Sequence, residues 1–198
     1  MMQKLIVITG IDGAGKTTLI ESLSKELPNS VVANVWQSFG ANQQLFKSKA
    51  HVYEYMRSLT PNSRVLFLAH AVRYGLEKAL ESDAETILID GYYIKYFGPE
   101  LALGADPQFV QEIIASFQKV DQVICLDLPI EKALQRKGEF TDYECGFNPE
   151  LSPATFLAFQ KRVLEQRKHF DCDNWEYLNA ELEVGELLRE ALGMVNDY

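Results

Sequence analysis

The sequence has few cysteines, no long apolar run and a shortage of basic residues, and each shortage argues against a class of protein. Three cysteines (Cys125, Cys145 and Cys172) occur among 198 residues, and their spacing fits neither a disulfide framework nor a paired C-x-x-C zinc site. No apolar stretch approaches the ~18 residues of a membrane span, so no membrane partner is expected. Lys and Arg total 19 against 28 Asp and Glu, a net charge of −9, which argues against binding a nucleic acid polymer.

The same features favour a single domain in the cytoplasm. Cysteines that are few and odd in number are typical of a reducing compartment. The start, Met-Met-Gln-Lys, leads directly into an apolar run, so we expect no signal peptide and a cytoplasmic location. Because the chain has ordinary composition, with no linker or repeat, residues 1–198 are expected to form one domain.

Apolar runs alternate with helical segments, which is the pattern of a parallel α/β sheet. Strands are predicted at Leu5–Thr9, Val31–Trp36, Thr86–Asp90, Gln122–Leu128 and Glu176–Leu178. Helices are predicted at residues 16–27, 42–58, 62–81, 107–119, 130–137, 153–170 and 181–193. Residues 137–152 contain two glycines and a proline with little periodicity, and are predicted to form a small lid.

One motif carries specific chemistry. Residues 10–18 read Gly10-Ile11-Asp12-Gly13-Ala14-Gly15-Lys16-Thr17-Thr18, which satisfies G-x-x-x-x-G-K-[ST] between a predicted strand and a predicted helix. Glycines let backbone N–H groups face a phosphate, and the helix N-terminus adds partial positive charge. Lys16 would reach the β- and γ-phosphates of a nucleoside triphosphate, and the Thr17 hydroxyl would hold Mg²⁺. We therefore expect a P-loop NTPase fold, a three-layer sandwich whose five-stranded parallel sheet lies between helices.

Two further residues are candidates for the same site. Asp90 ends the third predicted strand, where ligands gather in parallel sheets. It is either an Mg²⁺ ligand or an ordinary turn aspartate. Arg136 ends a predicted helix at the start of the lid. It could move over a triphosphate during catalysis, or it could be a cation that the helix dipole favours.

Three segments resemble the thymidylate kinase family, within the P-loop nucleoside monophosphate kinases. The phosphate loop is close to the family's G-[LIV]-[DE]-G-[AS]-G-K-[ST]-T. The segment Leu126-Asp127-Leu128-Pro129, with Glu131, Leu134 and Arg136 after it, resembles its LD-x-P-x-E-x-x-L-x-R pattern. Near the end, Leu178-Asn179-Ala180 is similar to a turn whose backbone lies near adenine.

The resemblance implies an ATP- and Mg²⁺-dependent enzyme that phosphorylates a nucleoside monophosphate, nominally dTMP to dTDP, and works as a homodimer. The implied ATP-site residues are Gly10, Asp12, Gly13, Ala14, Gly15, Lys16, Thr17, Thr18, Arg136 and Ala180. Asp12 also corresponds to a carboxylate that contacts the acceptor sugar. Because the loop contains no arginine, the lid should supply the catalytic cation, with Arg136 the first candidate and Lys137 the second.

The sequence departs from the family pattern around the acceptor. The segment Val35-Trp36-Gln37-Ser38-Phe39-Gly40 lacks the arginine of the family's R-E-P-G-G-like segment. Asp90-Gly91-Tyr92 replaces Asp-Arg-Tyr, Ile94-Lys95-Tyr96-Phe97-Gly98 replaces a serine and an Ala-Tyr-Gln group, and Asp142-Tyr143 replaces Asp-Arg in the lid. Each lost charged contact would weaken binding of a phosphate by about 1.5–3 kcal/mol.

Several residues could form the acceptor site instead. Arg73, in the predicted helix 62–81, resembles the family's phosphate-binding arginine, and Phe67 of that helix is expected in the core. Tyr92 and Tyr93, with Tyr96 and Phe97, could stack on a base or pack under a loop. Substitute cations could come from Lys47, Lys49, Arg57 or Lys95. The alternatives are a changed acceptor (another nucleotide, a nucleoside or a small alcohol) or a nucleotide-binding module without catalysis.

Overall fold

The computed structural model describes residues 3–40, 46–170 and 175–196. The first residues of the predicted helix 42–58 lie outside these ranges, and so does Cys172. In the described part of the chain, no helix is both long and apolar enough to cross a membrane.

Five parallel strands form one sheet in the order β2-β3-β1-β4-β5. They are β1 (Lys4–Gly10), β2 (Ser30–Ala33), β3 (Thr86–Asp90), β4 (Gln122–Asp127) and β5 (Trp175–Asn179). All five predicted strands are confirmed. β1 is central, pairing Ile8 with Asp90 of β3 on one side and Gly10 with Leu126 of β4 on the other. The carboxyl ends of β3, β1 and β4 therefore meet at one edge, which is where parallel sheets bind ligands.

Helices cover both faces of this sheet, so the predicted α/β sandwich of the P-loop class is confirmed. The described residues form α1 (Lys16–Glu26), α2 (Trp36–Gly40), α3 (Lys49–Ser58), α4 (Pro61–Leu80), α5 (Tyr92–Ala102), α6 (Pro107–Ile114), α7 (Ile130–Arg136), α8 (Pro153–Glu165) and α9 (Val184–Asn196). Short 3₁₀ helices occur at Tyr143–Cys145 and Gln166–His169.

Alternation along β1 divides the core into two clusters. Leu5 and Val7 pack into one cluster with residues of α3, α4, α5 and α6. Ile6 and Ile8 pack into the other with residues of α1, α7 and α9. Because successive side chains of a strand point to opposite faces, a continuous apolar run such as that in β1 is typical of a strand covered on both sides.

Two helices were not predicted, and both border the site. The predicted strand Val31–Trp36 is too long, because the chain leaves the sheet after Ala33 and the Asn34 side chain accepts a hydrogen bond from Trp36 N–H (3.0 Å) at the start of α2. In α5, adjacent Gly98 and Pro99 obscured the helical pattern, since proline is unfavourable inside helices. There, burial of most of the helix against its neighbours outweighs the low local propensity.

The remaining differences concern helix ends. The helices predicted at 107–119 and 153–170 are too long, since the α-helices end at Ile114 and Glu165, the latter followed by a 3₁₀ turn. The last helix is shifted, running over Val184–Asn196 rather than 181–193. The segment predicted as a lid contains the 3₁₀ helix Tyr143–Cys145 between irregular stretches.

The close approach of α4 to the chain after β2 gives a test of the packing. A Cβ added at Gly75 would lie 2.4 Å from the carbonyl oxygen of Asn34. Gly75→Ala should therefore lower the free energy of unfolding by about 1–3 kcal/mol through overpacking, although alanine favours helix by ~1 kcal/mol. Gly193→Ala in α9 is the matched control, because a Cβ there meets no atom within 4 Å among the described residues. The control should stabilise the protein. Urea unfolding measures both, and two changes of the same sign would contradict the proposed contact.

Candidate active site

The phosphate loop connects β1 to α1 at the carboxyl edge of the sheet. Its glycines adopt positive φ, with values of 144° at Gly10, 88° at Gly13 and 95° at Gly15. These angles let the loop curl back, so that α1 begins at Lys16 directly behind it. The first N–H groups of a helix have no partner within that helix and carry partial positive charge, so this end of α1 suits a phosphate.

The Lys16 ammonium lies inside this loop. Its side chain is 6% exposed, and Nζ donates hydrogen bonds to the carbonyl oxygens of Gly10 (3.0 Å) and Ile11 (2.7 Å). Nζ also lies 3.7 Å from Oδ1 of Asp12. Burial lowers the pKa of Lys16 to about 8, against the opposing effect of Asp12. Burial would raise the pKa of Asp12, but the ammonium groups of Lys16, Lys95 and Lys137 outweigh it and lower that pKa. Asp12 is therefore ionised beside the phosphate loop.

Thr17 and Asp90 are the residues that could supply oxygen ligands for a cation. Both line the same cavity, although one begins α1 and the other ends β3. A hydroxyl and a carboxylate suit Mg²⁺, which usually takes its other ligands from phosphates and water. The described ranges contain no group of three or more acidic, histidine or cysteine side chains placed to hold a metal. The donor set therefore fits a cation that arrives with a nucleotide.

One side of the phosphate loop borders a cavity of about 410 Å³. Its walls include loop and α1 residues together with Arg136 and Ala180, as the resemblance implied: Gly13, Ala14, Gly15, Thr18, Leu19, Arg136, Ala180 and Leu187. Arg136 donates a hydrogen bond to the Ala180 carbonyl oxygen (2.9 Å). Ala180 N–H in turn donates to Asp127 O at the end of β4 (2.9 Å). Arg136 thus lies in the wall of this cavity beside Ala180.

Lys137, the second candidate for the lid cation, lies over the loop itself. A Cβ added at Gly13 would come within 3.3 Å of Lys137 Cγ. The Lys137 ammonium forms an ion pair with Glu144 of the lid (2.6 Å) and acts electrostatically on both Asp12 and Lys16. In this structure Lys137 therefore lies beside the phosphate loop, and Arg136 lies beside Ala180.

On the other side of the loop lies a second cavity, of about 320 Å³. Its inner end is polar, since it is lined by Asp12, Thr17, Asp90, Lys95 and Tyr96. Lys95 Nζ donates to Asp90 Oδ1 (3.3 Å). Because Asp12 lines this cavity and neighbouring Gly13 lines the first, the two cavities meet at the phosphate loop.

The outer end of this second cavity is aromatic. The rings of Tyr53 and Tyr143 are stacked, with centroids 5.8 Å apart and planes 19° apart. Trp36 meets Tyr53 edge-on at 6.3 Å, and the ammonium of Lys49 lies 4.6 Å from the centroid of the Trp36 ring. Flat aromatic walls suit a planar ring such as a nucleobase.

A buried ion pair supports this aromatic end. Arg64 Nε donates to Glu100 Oε2 (2.6 Å), and the Tyr143 hydroxyl donates to Glu100 Oε1 (2.9 Å). Arg64 also donates to the carbonyl oxygen of Leu59 after α3 (2.6 Å). Burial raises the pKa of Glu100, and Arg64 and Tyr143 limit the rise. The pair thus connects α3, α4, α5 and the lid.

Three residues predicted to bind the acceptor do not line this cavity. Arg73 is exposed, donates to the Ser116 carbonyl oxygen and lies over the Phe117 ring. Tyr92 is 1% exposed, and its hydroxyl donates to Gln118 O (2.9 Å). Tyr93 packs against Phe117 and other rings of the core. The reason is the pitch of α5, which directs residues 95, 96 and 99 to the cavity and residues 93 and 97 to the opposite side.

Other residues around this second cavity had no clear signal in the sequence. Arg64, the buried arginine of α4, was overlooked in favour of Arg73, although both lie in an apolar helix. Tyr53 and Tyr143 come from α3 and the lid, 90 positions apart, so no local pattern could have joined them. Phe67 packs with Phe46 and Tyr55 rather than at the cavity.

Comparisons with known proteins agree with this geometry. Residues 8–191 match the family model described as thymidylate kinase. A probable thymidylate kinase 1 from Saccharolobus solfataricus is 30% identical over 196 residues, covering 98% of this chain and 97% of the relative. A thymidylate kinase from Akkermansia muciniphila is 33% identical over 140 residues, covering 68% and 67% of the two chains.

A solved structure shares the fold at lower identity. The structure of deoxyadenosine kinase from M. mycoides with bound dATP matches with a TM-score of 0.64 and 19% identity. The match covers 97% of this chain and 99% of that one. At this identity the likeness concerns the fold alone.

The buried ion pair beneath the aromatic end leads to a stability prediction. Glu100→Gln leaves the Arg64 charge buried without its partner, which should lower the free energy of unfolding by about 3–5 kcal/mol. Glu81→Gln is the matched control, since it breaks the exposed pair of Lys78 and Glu81 and should leave the unfolding midpoint nearly unchanged. Urea unfolding at neutral pH compares the two. Equal midpoints for Glu100→Gln and the wild type would show that the buried pair does not stabilise the fold.

Proposed function

This chain belongs to the thymidylate kinase family, and from that premise we propose that it is an ATP- and Mg²⁺-dependent nucleoside monophosphate kinase, nominally converting dTMP to dTDP. The observation that carries the proposal is the junction of two cavities at one phosphate loop. The larger cavity contacts Gly13, Gly15 and Arg136, and the smaller one contacts Asp12 and Thr17. A donor and an acceptor bound on the two sides would face each other across the loop.

In this proposal the protein acts by position and charge. ATP occupies the larger cavity, with its phosphates on the glycine loop and its base towards Arg136 and Ala180. The acceptor occupies the smaller cavity, and its phosphate oxygen attacks the γ-phosphorus in line, without a covalent enzyme intermediate. The bond between the γ-phosphorus and the β–γ bridging oxygen breaks in the same step, and ADP leaves. Thr17 and Asp90 would hold Mg²⁺, which neutralises phosphate charge when bound. The Lys16 ammonium would exchange its hydrogen bonds to the loop carbonyl oxygens for hydrogen bonds to phosphate oxygens, which are stronger acceptors.

The lid completes the charge around the transferred group. The Lys137 ammonium would leave its ion pair with Glu144 and contact the phosphates. Arg136 would contact the base end of the nucleotide. This reverses the order of the two candidates suggested by the sequence. Closure of the lid would also exclude water, which otherwise competes with the acceptor. A cytoplasmic location and a homodimer belong to the same proposal, the first from the cysteine content and the second from the family resemblance.

The proposal is tested by ADP release with a panel of acceptors. Wild-type protein with Mg²⁺ and ATP should release ADP faster when dTMP or another nucleoside monophosphate is added. Lys16→Ala should lower kcat by about 10²–10³-fold or more, because a preorganised cation at the phosphates is lost. Lys25→Ala, a change at an exposed lysine of the same helix, should match the wild type.

The panel also separates the alternatives. If a nucleoside or a small alcohol stimulates ADP release and no nucleoside monophosphate does, that compound replaces the monophosphate as the acceptor. ATP binding without stimulation by any acceptor would indicate a nucleotide-binding module. Full turnover by Lys16→Ala would contradict the mechanism.

The lid assignment has its own test. Lys137→Met should lower kcat by about 10²-fold with little change in the KM for ATP, because the cation acts mainly in the transition state. Arg136→Met should mainly raise the KM for ATP, because Arg136 lines the donor cavity beside Ala180, where the base of ATP is proposed to lie. Steady-state kinetics with saturating acceptor measure both. A larger loss of kcat in Arg136→Met than in Lys137→Met would restore Arg136 as the catalytic cation.

A further inference from the structure

Resting on the proposed function, we propose that Lys95 binds the phosphate of the acceptor, assisted by the Tyr96 hydroxyl, and so selects nucleoside monophosphates over nucleosides. The sequence lacks two arginines that the family uses for this purpose. Lys95 is one of four substitute cations that the sequence does not rank, and the sequence suggests Tyr96 only for stacking on a base or packing under a loop. The structure separates them from the others by position, burial and contacts.

Lys95 is the substitute cation that reaches the inner end of the acceptor cavity. Its side chain is 22% exposed, and its ammonium contacts Asp90 at 3.3 Å. The other substitutes that the sequence suggested lie elsewhere, since Lys47 is exposed, Lys49 lies over Trp36 at the outer end, and Arg57 pairs with Asp142 of the lid. The cation at the reacting end of the cavity is therefore Lys95.

The ammonium of Lys95 is a suitable partner for a phosphate dianion. It lies near the phosphate loop, in the same cavity wall as Asp12, Asp90 and Tyr96. A charge-assisted contact to a phosphate is about twice as strong as a neutral one.

Tyr96 offers a second donor at the same place. Its side chain is 7% exposed and lines the cavity, and its ring centroid lies 5.3 Å from Lys95 Nζ. The Lys95 ammonium interacts with the buried hydroxyl of Tyr96, but an ammonium only donates hydrogen bonds, and among the described residues the hydroxyl proton has no acceptor. A buried O–H donor without an acceptor is costly, and a phosphate oxygen beside Lys95 would supply the missing acceptor. Burial raises the pKa of Tyr96, so the hydroxyl keeps the proton that it would donate.

Gly91 explains why this lysine and the family's arginine exclude each other. A Cβ added at Gly91 would lie 2.4 Å from Cδ and 2.5 Å from Cβ of Lys95. Any side chain at position 91 would therefore displace Lys95 from its present position. The missing arginine at position 91 and the lysine at position 95 are thus a single structural change, in which one cation replaces another one helical turn further along α5.

The polarity of the whole cavity matches a monophosphate. Its inner end, where Lys95 and Tyr96 lie beside Asp12 and Asp90, is at the phosphate loop, and its aromatic outer end is formed by Trp36, Tyr53 and Tyr143. A nucleoside monophosphate has its anionic group and its planar base in the same order. A free nucleoside would leave the inner donors without an anion.

The test compares dTMP with thymidine as acceptors of one set of variants. Lys95→Met should raise the KM for dTMP by about 10–100-fold, the loss expected for one charge-assisted contact. It should leave the KM for ATP unchanged and any slow phosphorylation of thymidine undiminished. Lys95→Arg should retain most of the affinity for dTMP. Tyr96→Phe should raise the KM for dTMP by a smaller factor, about 3–10-fold. Lys78→Met, at an exposed lysine of α4, is the control and should match the wild type.

Each result decides between defined outcomes. An unchanged KM for dTMP in Lys95→Met, or equal losses with dTMP and thymidine, would overturn the role of Lys95 while leaving the kinase proposal intact. Absence of monophosphate-stimulated ADP release in the wild type would instead overturn the proposed function itself. If Lys95→Met does not fold, as judged by circular dichroism, calorimetric binding of dTMP and thymidine to Tyr96→Phe and Lys95→Arg decides the question. The inference would then be overturned by two results together. Tyr96→Phe would bind dTMP as tightly as the wild type does, and each variant would bind dTMP no more tightly than thymidine.

Discussion

The burial of one ammonium at the carboxyl edge of the sheet is the constraint on which the site depends. Lys16 is almost fully covered, so its charge needs compensation from the carbonyl oxygens of Gly10 and Ile11 and from Asp12. The loop can supply these groups only by curling back on itself, which the glycines with positive φ permit. The close approach of β4 to Gly10 and of α7 to Gly13 holds the curl in place. The loop therefore holds the ammonium of Lys16 in place, and phosphate oxygens would replace the two carbonyl oxygens as its hydrogen-bond acceptors.

The acceptor side obeys a similar rule with different residues. Charged and polar groups lie at its inner end. There Asp90 contacts Lys95, and the proton of the Tyr96 hydroxyl has no acceptor among the described residues. Its outer end is aromatic and is supported by the Arg64–Glu100 pair, which is nearly inaccessible to water. Such a pair adds little net stability compared with apolar packing, but breaking it is costly. It therefore connects α3, α4, α5 and the lid around the aromatic end of the cavity.

Much of the fold could be predicted because its signals are local. The continuous apolar runs of β1 and β3 and the glycine loop between β1 and α1 are contiguous in sequence, and each predicts its own structure. Prediction failed where local propensity and tertiary burial disagree. Adjacent Gly98 and Pro99 disfavour a helix locally, yet α5 forms because neighbouring elements bury most of it. Arg73 was selected as the functional arginine of α4, whereas the structure buries Arg64 and leaves Arg73 exposed.

The sequence by itself determined the parallel α/β class, the phosphate loop and the position of Asp90 at a strand end, since each depends on residues adjacent in the chain. It also showed that two expected acceptor cations are absent. Only the tertiary structure shows which residues line the cavity proposed for the acceptor, because this cavity is assembled from the loop, α2, α3, α4, α5 and the lid, which lie far apart in sequence. The pitch of α5 brings Lys95 and Tyr96 to the cavity and turns Tyr93 away. The absence of a side chain at Gly91 provides the space that Lys95 occupies.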